Sequence, residues 1–358
     1  MKFIHCADFH LGTSFSASSL PAEVVAAHRR SMFDSFMKVI ETAGEQKTDV
    51  LLIAGDLFDA RYARATDMRR IADAFARIPD TKVFISCGNH DPLTDDSYYA
   101  TYDFGPNVSV FPNELTSVEL PEINTVIYGY SWRRNRYDML PFELKKTDKD
   151  KINILCLHCD CTTRSSYMPV DAARFEEAGF DYTALGHIHK PLRIKERVYY
   201  SGSCEPLDFT ETGKHGFISG EIDGETKEFH ARFIPCATKR FETVHFDTSG
   251  MDTYNEVEGM LRRVLPDDKD VILRVIFEGT KNTEIDLNQV ILDLSSNYYS
   301  LTFKDRTSVD FNIERLYDEN ENNIIGKYIT ALVKAAKTDE IADIALYSGL
   351  AALLKNKE

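Results

Sequence analysis

Residues 49 to 59 read Asp-Val-Leu-Leu-Ile-Ala-Gly-Asp-Leu-Phe-Asp. The apolar run at 50–54 shows no polar alternation, as in a strand buried on both faces, and it stops at Gly55 and the carboxylates Asp56 and Asp59. The same pattern extends in both directions. A strand at 2–7 and an amphipathic helix at about 22–44 precede the run, and a helix at about 66–78 and a strand at 82–86 follow it. This β-α-β-α-β order with apolar, β-branched strands predicts a mostly parallel sheet with helices over its faces. Ligands of such sheets collect where the strands end. Here each strand runs into a polar cluster: Asp8-Phe9-His10, Gly55-Asp56-Leu57-Phe58-Asp59 and Gly88-Asn89-His90-Asp91.

Beyond residue 107 the expected strands are shorter and closer together, at 107–110, 125–130, 152–157, 192–195, 198–201, 216–222 and 228–233. A second sheet packed on the first accounts for them and gives an α/β fold class with layers in the order α-β-β-α. Two segments end in histidine: 152–157 leads to His158, and 182–185 leads to Gly186-His187-Ile188-His189. In extended backbone, residues i and i+2 point to one side. Spacing alone therefore lets His187 and His189 present their rings together, either to a metal or to water.

At 358 residues the chain is long for one domain. Three parts are expected: 1–236 carrying the clusters, a smaller α/β unit at 237–310 with β-α-β-α-β order that caps or binds, and a helical tail at 311–358. In the tail, Ile324, Ile325, Tyr328, Ile329, Leu332 and Val333 share one helix face, while Ile341, Ile344, Ala345, Leu353 and Leu354 indicate a second helix. Thr338, followed by Asp339 and Glu340, suits an N-cap between them. Such a hairpin either folds back on its own domain or docks on a partner's helices.

The sequence contains no apolar run of about 18 residues and no secretory signal at its start, so a membrane role is not expected and a cytoplasmic location is. Seven cysteines, an odd number scattered through apolar stretches, read as reduced thiols and not as a disulfide framework. A net charge of -15 argues against a broad nucleic-acid surface. Local cationic stretches stand against that balance, at Arg61, Arg64, Arg69 and Arg70, at Arg133, Arg134 and Arg136, and at Lys145 and Lys146; each also fits a solvated face.

The strand-end clusters supply Asp8, His10, Asp56, Asn89, His158, His187 and His189. Carboxylate, amide and imidazole ligands with no obligatory thiolate fit manganese, iron or zinc, and not a structural zinc knuckle. The set is too large for one ion. It suits two ions about 3.5–4 Å apart that share a carboxylate, an arrangement that activates water and neutralises a phosphoryl oxygen.

In their order, Asp-x-His, Gly-Asp-x-x-Asp, Gly-Asn-His-Asp, a lone His after a strand and Gly-His-x-His resemble the calcineurin-like metallophosphoesterases. The resemblance implies a four-layer metallophosphoesterase sandwich in which Asp8, His10, Asp56 and His189 hold one ion. Asp56, as the bridge, would hold the other with Asn89, His158 and His187. His90 would protonate the leaving oxygen or stabilise its charge, and Asp59 would orient His90, roles that suit an imidazole titrating near neutrality. The stretches at 8–12, 55–59, 184–189 and 200–203, with Pro206, Leu207 and Phe209 following, look like the SbcD-type DNA repair exonucleases. That likeness implies a manganese-dependent exonuclease and endonuclease that binds DNA as a homodimer. Its partner would be a coiled-coil ATPase of the SMC type, held by the C-terminal helices. The acidic balance departs from this picture, and either the arginine patches or the partner would have to supply the DNA affinity.

Rival readings share parts of the pattern. The same two-ion clamp serves phosphomonoesterases and cyclic-nucleotide phosphodiesterases. Ala60-Arg61 after Asp59, and Asp91 after His90, separate the chain from protein phosphatases, and the additional domain separates it from the small-nucleotide enzymes. A non-catalytic scaffold of a repair complex is a third reading, although no expected ligand is missing. The stretch Cys156-Leu-His158-Cys159-Asp-Cys161 raises a separate zinc or redox site, with packing as the plainer account. His5, His28, His215, His230 and His245 read as core or surface residues.

Overall fold

The computed structural model describes all residues except 16–19, 164, 269, 283–284, 310, 312, 337–339 and 356–358, so the N-cap expected at Thr338 lies outside the described residues. The chain divides into two units, Met1–Phe241 and Glu242–Glu358. The helical tail falls in the second unit together with the β-α-β-α-β segment, and the division lies a few residues beyond the position expected from the sequence.

In the first unit the order opens with β1 (Lys2–Cys6), α1 (Ala22–Gln46), β2 (Val50–Ile53), α2 (Ala65–Phe75), β3 (Lys82–Ile85), α3 (Tyr98–Thr101) and β4 (Val108–Val110). It continues with β5 (Thr116–Leu120), β6 (Thr125–Gly129), β7 (Ile152–His158), α4 (Ala173–Ala178), β8 (Tyr182–Gly186), β9 (Leu192–Lys195) and β10 (Val198–Tyr200), and closes with β11 (Gly216–Ile222) and β12 (Phe229–Pro235). The strands form two six-stranded sheets, ordered β12-β11-β1-β2-β3-β4 and β5-β6-β7-β8-β10-β9. Each has a parallel centre: β1 to β4 in one, and β6, β7, β8 and β10 in the other. Antiparallel strands close both edges of the second sheet and the β11–β12 edge of the first, whose other edge is the parallel β4.

Side-chain alternation explains why the central strands are apolar throughout. Val50, Leu52 and Ala54 point between the sheets, where they meet Ile127, Ile154, Cys156 and Ala184 of the second sheet. Leu51 and Ile53 point the other way, onto Phe36 and Ile40 of α1 and Ile71 and Phe75 of α2. Leu155 and Leu157 likewise face Trp132 and Phe175 on the outside of the second sheet. Each such residue, buried on its own side, contributes roughly 1.5–3 kcal/mol. The result is the expected α-β-β-α sandwich, with one correction: not all later strands join the second sheet. β4, β11 and β12 extend the first, because β11 pairs with the free edge of β1 and leaves it no open side. β5, which alternates between half-buried and exposed residues up to the buried Leu120, was not anticipated; it is the antiparallel edge partner of β6.

The second unit contains β13 (Arg240–Asp247), α5 (Tyr254–Val264), β14 (Val271–Glu278), β15 (Thr280–Lys281), α6 (Leu287–Ser295), β16 (Ser300–Asp305) and β17 (Ser308–Val309). Its sheet is ordered β13-β14-β16 with β14 and β16 parallel, and α5 and α6 bury Val257, Leu261, Val290 and Leu294 against Leu273, Val275 and Phe277. Three helices follow: α7 (Ile313–Asn320), α8 (Ile324–Ala336) and α9 (Glu340–Lys355). Asp318 and Glu319 lie inside α7. Ile325 and Ile329 of α8 pack on Leu346 and Leu350 of α9. The anticipated faces were partly misplaced: Ile324 (66% exposed), Ile341 (78%) and Ile344 (60%) point outward, and α9 buries Ala342, Leu346 and Leu350. α9 is apolar on more than one side, so periodicity could not select its inward face.

Candidate metal centre

The ends of β1, β2 and β3 meet the ends of β7 and β8 across the sandwich. Asp8, Asp56 and Asn89 come from the first sheet, and His158, His187 and His189 from the second. Asp8, His10, Asp56 and His187 hold left-handed backbone with φ of 53°, 47°, 52° and 101°. Such a conformation costs a non-glycine residue on the order of 1–3 kcal/mol and persists only where neighbours over-determine it. Here Asp8 N–H donates to the Gly55 carbonyl (3.0 Å), His10 N–H to the Asp56 carbonyl (2.9 Å), and His187 N–H to the Asp8 carboxylate (3.1 Å). Two glycines permit the close approach. A Cβ at Gly55 would stand 2.2 Å from His158 Nδ1, and one at Gly186 would stand 1.8 Å from the Ala54 carbonyl oxygen.

The orientation of His158 shows what the centre is built to hold. Its Nδ1–H donates to the Ala54 carbonyl (2.9 Å), which leaves a lone pair on Nε2. That lone pair faces Asn89 Oδ1 at 3.0 Å and Asp56 Oδ2 at 3.4 Å. Burial holds the His158 pKa down to about 3, so the ring brings no second proton to these oxygens. A cation among the three would satisfy all of them. On the other side of Asp56, His10 Nε2 lies 3.2 Å from His189 Nε2 and 3.7 Å from Asp56 Oδ2, and His189 Nε2 lies 4.0 Å from Asp8 Oδ1.

Burial pushes the carboxyls of Asp8 and Asp56 up to about 8 and about 6, which marks a place short of positive charge. Burial also works to lower His189, but the hydrogen bond to Glu211 and the charge of Asp8 outweigh it and raise the ring to about 9. In this state the His189 proton supplies the charge that a divalent ion would replace. The donor set fits two such ions.

Among the described residues, three groups of ligand atoms lie within 4.8 Å of one another: Asp8, His10 and His189; His10, Asp56 and His90; and Asp8, Asp56 and His158. No cysteine belongs to any of them. Asn89 joins through His158, whereas the His187 ring packs on His158 (centroids 5.4 Å apart) and Tyr167 (4.8 Å) and belongs to none of the three groups. The two histidines of Gly-His-x-His therefore do not share a side as extended backbone would place them. β8 ends at Gly186, and the positive φ of His187 turns its ring towards His158 while His189 turns towards His10.

His90 stands at the rim, half-buried, with Nδ1 3.7 Å from Asp59 Oδ2. Its pKa is raised by the nearby Asp59 carboxylate against a smaller effect of burial. Burial works to raise Asp59, but the nearby His90 ring and the hydrogen bonds from Arg61 overcome it and keep the carboxyl low. Beside this pair opens a cleft of about 350 Å³ lined by Arg61, Asn89, His90, Asn135, Arg136 and Tyr167. Of the other cationic residues, Arg70 stacks on Phe33 of α1 (3.6 Å) and Arg134 on Tyr137 (4.6 Å).

Two residues escaped the sequence reading. Asp91, noted only as a distinguishing residue, collects the N–H groups of Asp56 (3.2 Å), Leu57 (2.7 Å) and Gly88 (2.6 Å) and the Tyr99 hydroxyl (2.7 Å), tying two ligand loops together. Its place directly after His90 was the available signal. Glu211, which accepts from His189 Nδ1–H at 2.6 Å, carried none, since it lies in a loop at no characteristic spacing. The cysteines are all free; Cys159 and Cys161 have their sulfurs 3.9 Å apart, and Cys156 packs between the sheets. His5 is a core residue whose Nε2–H donates to the Leu185 carbonyl (3.1 Å) and whose Nδ1 accepts from the Tyr182 hydroxyl (2.9 Å).

Residues 1–191 match the family model described as calcineurin-like phosphoesterase. A curated relative, the "Uncharacterized metallophosphoesterase YhaO" of Bacillus subtilis (strain 168), is 28% identical over 249 residues, covering 64% of this chain and 60% of the relative. The match thus spans less than two thirds of that relative's length. Among solved structures, the crystal structure of TT1561 of Thermus thermophilus matches with 10% identity and a TM-score of 0.38, over 65% of this chain and 98% of that one. No helix among the described residues is long and apolar enough to cross a membrane.

Proposed function

This chain belongs to the calcineurin-like phosphoesterase family, and from that premise we propose that it is a two-metal phosphodiesterase that cleaves DNA, as an exonuclease at ends and an endonuclease on single strands. The observation that carries the hydrolytic reading is the convergence of lone pairs from His158, Asn89 and Asp56 in a buried place. Asp8, His10, Asp56 and His189 would hold one ion, and Asp56, Asn89, His158 and His187 the other. Bound divalent ions supply an activated water and neutralise charge on the phosphoryl oxygens. Mixed nitrogen and oxygen donors suit manganese, with iron and zinc as the nearest rivals.

The chain's own residues do the rest. His90 holds a proton, favoured by Asp59 behind it, and delivers it to the leaving oxygen. Arg61 and Arg136 offer fixed positive charge to phosphates on either side of the scissile one, and the Tyr167 ring offers an apolar wall for a base. These three residues support a nucleic-acid substrate despite the acidic whole. The family likeness read from the sequence adds a homodimer working in the cytoplasm with an SMC-type coiled-coil ATPase. The outward Ile324, Ile341 and Ile344 support a helical partner for the tail.

The test is hydrolysis, with manganese, of end-labelled linear duplex DNA beside a small chromogenic phosphodiester. Release of nucleotides from the DNA, abolished by chelation and by His90→Ala, is the expected result. Cleavage of the small ester alone would remove the nuclease reading and leave a small-molecule phosphodiesterase. Cleavage of neither would leave the scaffold.

A further inference from the structure

We propose that Glu211 is a positioning residue of the metal centre, one whose carboxylate fixes the His189 ring so that a single ion position depends on it. The inference rests on the two-metal reading above. Glu211 Oε1 accepts from His189 Nδ1–H at 2.6 Å, which leaves Nε2 facing His10 and Asp8. The other oxygen, Oε2, accepts the Leu207 N–H at 2.9 Å, so the carboxylate is held at both ends.

The loop that carries Glu211 returns to His189 by a second route. His215 Nε2–H donates to the Glu211 carbonyl (3.2 Å), His215 Nδ1 accepts from the Ser203 hydroxyl (2.9 Å), and Ser203 N–H donates to the His189 carbonyl (3.0 Å). This closed ring of hydrogen bonds holds His189 by its side chain and its backbone at once. A free ion pair between partly exposed groups would be worth little; a carboxylate anchored in a ring restricts the imidazole to one direction.

The contrast with His158 gives the inference its specificity. His158 is oriented by a backbone carbonyl, that of Ala54, which no substitution removes. The His189 ring, by contrast, is oriented by a side chain that substitution can remove. Loss of Glu211 should therefore weaken one ion and spare the other.

Manganese binding to the full chain, followed by calorimetry and by the paramagnetic resonance signal of coupled against isolated ions, tests this. Wild type should bind two ions. Glu211→Ala should bind one ion as before and the second about 10–100-fold more weakly. Glu211→Gln keeps an acceptor and should fall between them. In a His189→Ala background, adding Glu211→Ala should change metal affinity no further. Melting of the metal-free variants reports whether the fold is retained, and Glu211→Gln serves if Glu211→Ala unfolds. Two ions bound at wild-type affinity by folded Glu211→Ala, or equal weakening of both ions in either folded variant, would overturn the inference. A wild type that binds fewer than two ions would overturn the two-metal reading and this inference with it.

Discussion

The two units use the same parts to different ends. Both alternate strands and helices and bury an apolar sheet under helices. In the first, left-handed backbone at the strand ends is carried by Asp8, His10, Asp56 and His187; in the second, among the described residues, it is carried by Gly250 and Gly279. Among the described residues, the buried polar side chains of the second unit are the neutral Thr248, Ser300 and Asn320, whereas the first buries Asp8, His10, Asp56, Asp91 and His158. A left-handed glycine costs little and carries no ligand atom. A left-handed aspartate or histidine is strained, and it recurs where a ligand atom must face inward. The first unit thus concentrates buried charge at its strand ends, and among the described residues the second does not.

The largest expected effect tests that division directly. On the proposed two-ion reading, Asp56→Asn should lower kcat/KM for phosphodiester hydrolysis by about 10³-fold or more, since it removes the carboxylate assigned as the bridge. It should leave the metal-free melting temperature unchanged or raised, because burial already pushes the Asp56 carboxyl up to about 6 beside Asp8 and Asp91. Near-normal activity, or a sharp fall in metal-free stability, would break the comparison. In the second unit, Leu273→Ala should do the opposite. It empties a fully buried position at a cost of about 2–5 kcal/mol, read from denaturant unfolding, with hydrolysis of a small phosphodiester unchanged.

The smallest effect concerns pH. Burial pulls His5 down to about 3, against its hydrogen bond to Leu185, while the unfolded residue titrates near the ordinary 6.5. Below that value the unfolded chain takes up a proton that the native state refuses. Stability from this residue is complete above pH 6.5 and is lost as pH falls towards 3, at up to about 1.4 kcal/mol per pH unit. His158 and His187 are pulled the same way, each to about 3. In the second unit the histidine is the exposed His245. Denaturant midpoints of the metal-free protein between about pH 7.5 and about pH 5.5 should therefore fall for the first unit, with a shallower slope in His5→Asn. An identical slope in wild type and variant would show that His5 takes up its proton without penalty.

Much of this was legible in the residues. The apolar run at 50–54 between polar clusters marked a strand buried on both faces, and its alternating contacts with two cores are the physical reason. The candidate ligand types stood at the strand ends, where the structure gathers Asp8, His10, Asp56, His158 and His189 in overlapping groups and sets Asn89 against His158. Face assignments were less legible. α9 is apolar on more than one side, and only packing against α8 selected Ala342, Leu346 and Leu350 as its inner side.

Sequence by itself determined the parts that depend on local period and composition: strands, helices, and the polar residues at which strands stop. Tertiary structure decided what depends on which distant segments meet. It sent β11 and β12 back to the free edge of β1, turned His187 and His189 apart through one left-handed residue, and set Glu211 against His189 and Asp91 against two ligand loops. Spacing along a chain encodes the direction of neighbouring side chains. It carries no record of partners that meet only when the whole sandwich closes.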